Sequence, residues 1–281
     1  MLDSIFVRKK ILEFLEEDIG YRDLTTDSLD VDKNVEGVFV AKQSGVIAGT
    51  VFVKEVFNIF GDAKFQSFKK EGDYIEKGEI IGLVYGSCKS ILKGERLALN
   101  ILQRLSGIAT LTNLFVKELE GTKTKLLDTR KTTPGFRAFE KYAVKVGGGE
   151  NHRFALYDMV MLKDNHIALV GSIKEAVKQV KSKVSPMVKV EVEVANFDQL
   201  YEALETEVDI IMLDNMSPNE VKEAVKIIDG KKLVEVSGNI TLENIRQYAL
   251  SNPDFISTGS VIHSAKWLDI SLKLNIWRSL R

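Results

Sequence analysis

One cysteine, four prolines and a net charge of −1 in 281 residues each remove a class of explanation. Cys88 alone closes no intrachain disulfide and offers no zinc pair, which suits a reducing compartment. The balanced charge leaves no global basic field, so nucleic acid is not expected as a partner and any anion site must come from local clustering. No apolar run approaches the roughly 18 residues of a membrane span. The N-terminal stretch Met1–Asp18 carries charges throughout and lacks the apolar core of a signal peptide, so the protein is expected to be soluble and cytoplasmic. With so few prolines and no low-complexity tract, no flexible linker announces itself. Several motifs are absent: the phosphate loop Gly-x-x-x-x-Gly-Lys-Ser/Thr, the dinucleotide turn Gly-x-Gly-x-x-Gly, and His-Glu-x-x-His. A kinase, a dehydrogenase and a zinc hydrolase are therefore disfavoured.

What is present concentrates between Asp128 and His166. The apolar pair Leu126-Leu127 closes on Asp128, Thr129, Arg130 and Lys131, as a buried strand does on reaching a site. After the breaker Thr133-Pro134-Gly135, the residues Phe136, Phe139, Tyr142, Ala143 and Val146 recur at helical spacing. Three glycines, 147–149, stop that helix and allow Asn151-His152-Arg153 to be held against something bound. A second apolar run, Met159–Leu162, ends on Lys163, Asp164, Asn165 and His166. Arg137, Lys141 and Lys145 read as a solvated helix face. Arg130, Arg153 and Lys163 differ, because a cation beside a buried run needs an anionic partner.

From 124 onward strands and helices alternate. Strands are predicted at 124–130, 157–163, 188–194, 209–214, 232–237 and 254–259, with helices at 172–184, 197–207, 218–228 and 242–250. Such βα units imply a parallel sheet with helices outside, an α/β barrel of about six strands, short of the usual eight. Strand parity tests this. If the valines of 188–194 face the helices, Lys189, Glu191 and Glu193 face inward, as do Asp128 with Arg130, Met161 with Lys163, Met212 with Asp214, and Glu235 with Ser237. A barrel interior so lined with acids and bases, with the last of them at C-terminal strand ends, is placed as an active site. The small-residue loops at Ser237-Gly238-Asn239 and Gly259-Ser260 suit a phosphate, with helix capping by Thr241 as the plainer alternative.

The N-terminal part is expected to start with an amphipathic helix over 5–15 and continue as short β runs between 35 and 84. The string Glu71–Glu79 resembles the turn of a lipoyl- or biotinyl-like β-sandwich, but no Met-Lys-Met tip is present, so a structural β-rich domain is expected rather than a carrier. A strongly helical stretch covers 95–120, with Gly107 offering a break.

Collected, Arg130, His152, Arg153 and Lys163 form an anion pocket beside the acids Glu193 and Asp214 and the two small-residue loops. The set suits a small polycarboxylate joined to a sugar phosphate. Here the chain resembles the quinolinate phosphoribosyltransferases. The likeness rests on Gly94-Glu95-Arg96-Leu97-Ala98-Leu99-Asn100, Ser106–Thr110, Asp128–Gly135, Gly147–Arg153, Leu162–His166, Val190–Val194, Leu213-Asp214-Asn215 and Glu235–Gly238, in order over nearly the whole chain. The resemblance implies an α/β fold: an N-terminal α+β sandwich domain over 1–107, completed by 267–281, and an incomplete α/β barrel over 108–266. It implies a homodimer with shared sites, in which Arg96 joins the neighbour's Arg130, His152, Arg153 and Lys163 around quinolinate. It places Lys131 near phosphoribosyl pyrophosphate, Glu193 and Asp214 on ribose hydroxyls or Mg2+, and Ser237, Gly238, Gly259 and Ser260 on the 5-phosphate. Lys131, Lys163, Glu193 and Asp214 are the implied catalytic residues. Two positions depart from the family's pattern, Asn239 and Ala155, where glycine is usual. A molybdate-locus relative of the same fold and a non-catalytic carboxylate-binding protein are the competing readings; Lys163–His166 speaks against the first, and the acids Glu193 and Asp214 against the second.

Overall fold

A computed structural model describes residues 2–275 of the chain. They form two compact units: residues up to 113 with 138–148 and the chain from 265 onward, and residues 114–137 with 149–264.

The first unit is built on a four-stranded antiparallel sheet in the order Ile270–Leu274, Asn34–Ala41, Ile80–Ser87, Ala63–Ser67. The C-terminal strand pairs along Gly37–Ala41, so the end of the chain completes a sheet begun near its start; residues 276–281 of that expected tail lie outside the described residues. The stretch 50–60, read from sequence as part of a β region, is an α-helix, Thr50–Phe60. Its Phe52, Val53, Val56 and Phe57 are buried at helical spacing, and Phe57 meets Phe39 of the sheet edge-on at 6.3 Å. A run of β-branched and aromatic residues suits either state, and tertiary packing decided it.

Two features of this unit correct the sequence expectation further. The helix Arg137–Val146 lies within the segment expected as barrel, yet residues 138–148 belong to the first unit. Phe139 packs against Phe14 and Phe52, at 5.8 and 4.9 Å, and Tyr142 against Phe52 at 4.9 Å. Glu140, fully buried, pairs with Arg104 at 2.7 Å. The second correction is Gly107, which breaks nothing: Cys88–Glu118 is one continuous helix. Instead a Cβ at Gly107 would overlap the Lys266 carbonyl oxygen, so glycine is there to admit the returning chain. Alanine favours a helix interior over glycine by about 1 kcal/mol, but a backbone carbonyl cannot swing aside as a side chain can. Gly107→Ala is therefore expected to destabilise the protein, by about 1–3 kcal/mol, read as a lowered urea midpoint at unchanged slope.

The second unit is a six-stranded parallel sheet in the order Lys125–Leu127, Phe255–Ser257, Leu233–Ser237, Ile210–Asp214, Val190–Val194, Val160–Leu162. The first and last strands are not paired with each other among the described residues, so the barrel stays open. Helix starts follow ordinary capping: Ser172 accepts from Glu175 N, Asn196 from Gln199 N, and Ser217 with Glu220 forms a capping box ahead of Pro218. The helix expected at 242–250 is only Ile245–Ala249. Thr241 does not cap it; its N–H donates to Asn244 Oδ1 at 2.8 Å and the chain first makes a turn.

Candidate active site

Register places the acids. Glu193, Met212 and Glu235 lie side by side across three strands, and Ser237 sits opposite Asp214. Parallel partners share a face, so the valines of Val190–Val194 are buried outward and Glu191 and Glu193 point in. The first strand departs from the predicted parity: Leu127 shares a level with Ser257, and Asp128 follows the strand's end. Fully buried, Asp128 accepts from His152 N at 2.9 Å and Asn151 Nδ2 at 2.6 Å, fixing the turn that follows the triple glycine.

A cavity of about 650 Å³ opens at the C-terminal strand ends, large enough for a small ligand. Arg130, Lys131, His152, Arg153, Lys163, Glu193 and Asp214 all line it, and so do both small-residue loops, Ser237-Gly238-Asn239 and Gly259-Ser260. Arg96 does not; it is exposed on the helix Cys88–Glu118. His166 also stays outside the lining, because its Nδ1 accepts the Lys163 N–H at 2.9 Å and closes the first turn of Asp164–Val170. The third histidine, His263, which sequence reasoning left out, lines the cavity beside Gly259. Its only signal was its position a few residues beyond a small-residue loop.

The charges are tied to one another. Lys163 Nζ bonds Glu193 Oε1. Arg153 donates to Met159 O at 2.9 Å; burial first and then Arg130's charge lower the pKa of its guanidinium. His152 Nε2 lies 3.2 Å from Glu191 and 3.3 Å from Glu235, both buried. Burial opposes a charged ring, yet the two carboxylates outweigh it and push His152 up to about 10, while burial and then Glu235's charge push Glu191 up to about 7. Against that charging stands the Arg153 N–H, which points at His152 Nδ1 from 2.6 Å. A protonated Nδ1 would face another donor there, so the ring with its proton on Nε2 satisfies these contacts.

The loop at 237–239 is held through Asn215. Its Nδ2 donates to Asp214 Oδ2 at 2.8 Å and its Oδ1 accepts from Asn239 Nδ2 at 3.0 Å. Gly238 has φ +94° and faces the Asn215 amide, where no side chain fits. Asn239 takes φ +52°, a left-handed conformation that asparagine tolerates better than most residues, so the loop forms without a second glycine. Ala155 has no positive φ and needs no glycine. The other loop is joined to this one by Thr258, whose hydroxyl donates to Ile240 O at 3.1 Å.

An open parallel βα barrel with clustered cations, two acids and paired small-residue loops at its C-terminal mouth has the form of a barrel enzyme for anionic small molecules. Family models agree: that of the quinolinate phosphoribosyl transferase N-terminal domain matches residues 23–106, and that of the C-terminal domain residues 108–273. The chain belongs to the quinolinate phosphoribosyl transferase family. It is 44% identical over 277 residues to a probable nicotinate-nucleotide pyrophosphorylase [carboxylating] of Bacillus subtilis (strain 168), covering 98% of this chain and 96% of that protein. A protein of the same description from Methanocaldococcus jannaschii is 43% identical, over 96% and 97% of the two chains. Among solved structures, NadC from Streptococcus pyogenes superposes with a TM-score of 0.93 at 42% identity, over 97% of each chain.

Proposed function

We propose that this protein transfers the phosphoribosyl group of phosphoribosyl pyrophosphate to quinolinate with decarboxylation, giving nicotinate mononucleotide, pyrophosphate and CO2, a step of NAD biosynthesis. The observation that carries this reading is the convergence of Arg130, Arg153 and Lys163 with Glu193, Asp214 and two small-residue loops on one cavity. Quinolinate is a dianion, and its ring nitrogen must meet C1 of an anionic cosubstrate. Only fixed cations hold two such anions in an attack geometry. The loops Ser237-Gly238-Asn239 and Gly259-Ser260 suit the 5-phosphate because their small residues let it approach the backbone N–H groups, and Lys131 lies close enough to Gly259 to share it.

Glu193 and Asp214 serve the ribose. As the C1–O bond to pyrophosphate breaks, positive charge grows on C1, and carboxylates nearby favour it. Hard oxygen donors beside phosphates fit Mg2+, which keeps few protein ligands; Asp214 and Glu193 are the residues that would hold it, directly or through water, and it would offset the charge of the departing pyrophosphate. Nitrogen attack forms the N–C1 bond and leaves the ring nitrogen positive. The C2–carboxylate bond then breaks, its electron pair stays on C2 next to that nitrogen, and C2 takes up a proton. Transfer therefore precedes decarboxylation.

The reading includes a homodimer. No residue of Asp164–Val170 is buried, Leu169 is 87% exposed and Tyr157 81% exposed, an apolar surface suited to a second copy. Arg96 of that copy completes the anion pocket. The lone thiol and the absence of any described helix able to cross a membrane accord with a cytoplasmic setting.

Incubation with quinolinate, phosphoribosyl pyrophosphate and Mg2+ tests the reaction; no nicotinate mononucleotide and no CO2 would overturn it. The shared site has its own test. At quinolinate near the parent KM, Arg96→Ala and Lys163→Met proteins are each expected to be nearly inactive, and their mixture, after subunit exchange, to regain about a quarter of the parent rate, since half the dimers would carry one intact site. A mixture no more active than its parts places Arg96 elsewhere.

A further inference from the structure

Glu191 and Glu235 have no part in the reaction as described, yet they occupy the barrel's interior at 0% and 1% exposure. Barrel interiors at these levels ordinarily hold Val, Ile or Leu. Glu191 Oε1, Glu191 Oε2 and Glu235 Oε1 have no hydrogen-bond partner among the described residues, and Glu191 Oε2 meets the ring as an ion-pair contact at 3.2 Å. Two carboxylates are thus withdrawn from water around one imidazole, an arrangement disfavoured unless the ring's placement matters.

What the ring holds is visible on its other edge. Nε2 faces the two carboxylates, and Nδ1 accepts the backbone N–H of Arg153 at 2.6 Å. The guanidinium of Arg153 is then steadied by Met159 O at 2.9 Å and Met161 Sδ at 3.7 Å. Met161 is itself the register partner of Glu191. Both nitrogens of His152 are engaged by protein, so the ring's directed bonds serve the fold of the site rather than the ligand.

We propose that Glu191 and Glu235 are positioning residues, a two-carboxylate clamp that orients His152 and through it sets Arg153, the cation facing quinolinate. The proposal rests on the reading that this cavity binds quinolinate. The clamp fixes which nitrogen carries the proton, as carboxylates do for histidines that must keep one orientation.

The isosteric variants Glu191→Gln and Glu235→Gln test it. Each is expected to raise KM for quinolinate by about 10- to 100-fold while KM for phosphoribosyl pyrophosphate stays near the parent value. Because the clamp acts through His152, the double variant His152→Asn with Glu235→Gln should be no worse than His152→Asn alone. Nitrogen-15 spectra of the imidazole, recorded without substrate, should show the proton on Nε2 in the parent and an altered signal in either variant. These spectra decide the clamp even if the parent makes no nicotinate mononucleotide, an outcome that would count against the proposed reaction alone. If one variant fails to fold, the parent spectrum and that of the other variant decide it. Additive losses, equal loss of affinity for both substrates, or a parent ring protonated on Nδ1 only would overturn the clamp. So would one equivalent of a divalent cation bound at His152, since the three ligand atoms lie within 4.8 Å of one another.

Discussion

Glu193→Gln is expected to lower kcat by about 10²- to 10³-fold, the range for removing one preorganised charge from a reacting centre, with thermal stability close to the parent's. The carboxylate sits at the end of Val190–Val194 and bonds Lys163, whose side chain is 42% exposed toward the cavity. In the proposed reaction, charge at Glu193 acts twice: it favours the positive ribose centre, and through its ion pair it holds the ammonium of Lys163 in the anion pocket. Amide substitution removes both effects while preserving shape. Lys163→Met should instead act mainly on the KM for quinolinate, because in the proposed reaction this cation meets the diacid before C1 develops charge. Combining the two should cost less than the product of the single losses, since each variant already breaks the same pair. Steady-state kinetics with each substrate varied in turn measures all three. Unchanged kcat in Glu193→Gln would remove this carboxylate from the reaction.

The largest expected effect on stability belongs to Glu71. The helix Thr50–Phe60 starts at Gly49, which has no capping side chain. Its N-terminal donors are met from a distance: Glu71 accepts from Gly49 N at 2.7 Å, Thr50 N at 2.8 Å and Thr50 Oγ1 at 2.6 Å. Tyr142 adds its hydroxyl at 3.0 Å, and burial followed by Glu71's charge pushes that phenol well up. A carboxylate here also complements the positive end of the helix dipole. Glu71→Ala strands two buried N–H groups at about 1–3 kcal/mol each, so a loss of roughly 3–5 kcal/mol is expected. Glu71→Gln retains one acceptor oxygen and should fall between. Urea unfolding measures both; a Glu71→Ala protein within about 1 kcal/mol of the parent would mean that water satisfies those groups.

Both residues show how far sequence reasoning reaches. Glu193 was legible because alternation in Val190–Val194 leaves its partner face no choice, and because charged residues at strand ends of a βα repeat converge whatever the loops do. Pro218–Ile228 was legible end to end because its cap, its proline and its apolar period agree. Glu71 was not legible as a cap, since Thr50 is 21 residues away and local rules see only neighbours. For the same reason Gly107 resembled a helix break: nothing nearby in sequence announces Lys266. His263 and Asn215 were passed over because neither residue type at its position signals more than a loop.

By itself the sequence determined the alternation of strands and helices after residue 124, the inward face of the acids, the family, and the side chains that meet at the barrel's mouth. These follow from periodicity and from strand ends, which are local properties. Tertiary structure alone decided that 50–60 is a helix, that the helix Arg137–Val146 packs with the N-terminal part of the chain, and that His152 turns its nitrogens to Glu191, Glu235 and Arg153 rather than outward. Each of these depends on partners far apart in the chain. A side chain's direction is set by whichever distant group satisfies it when water is excluded.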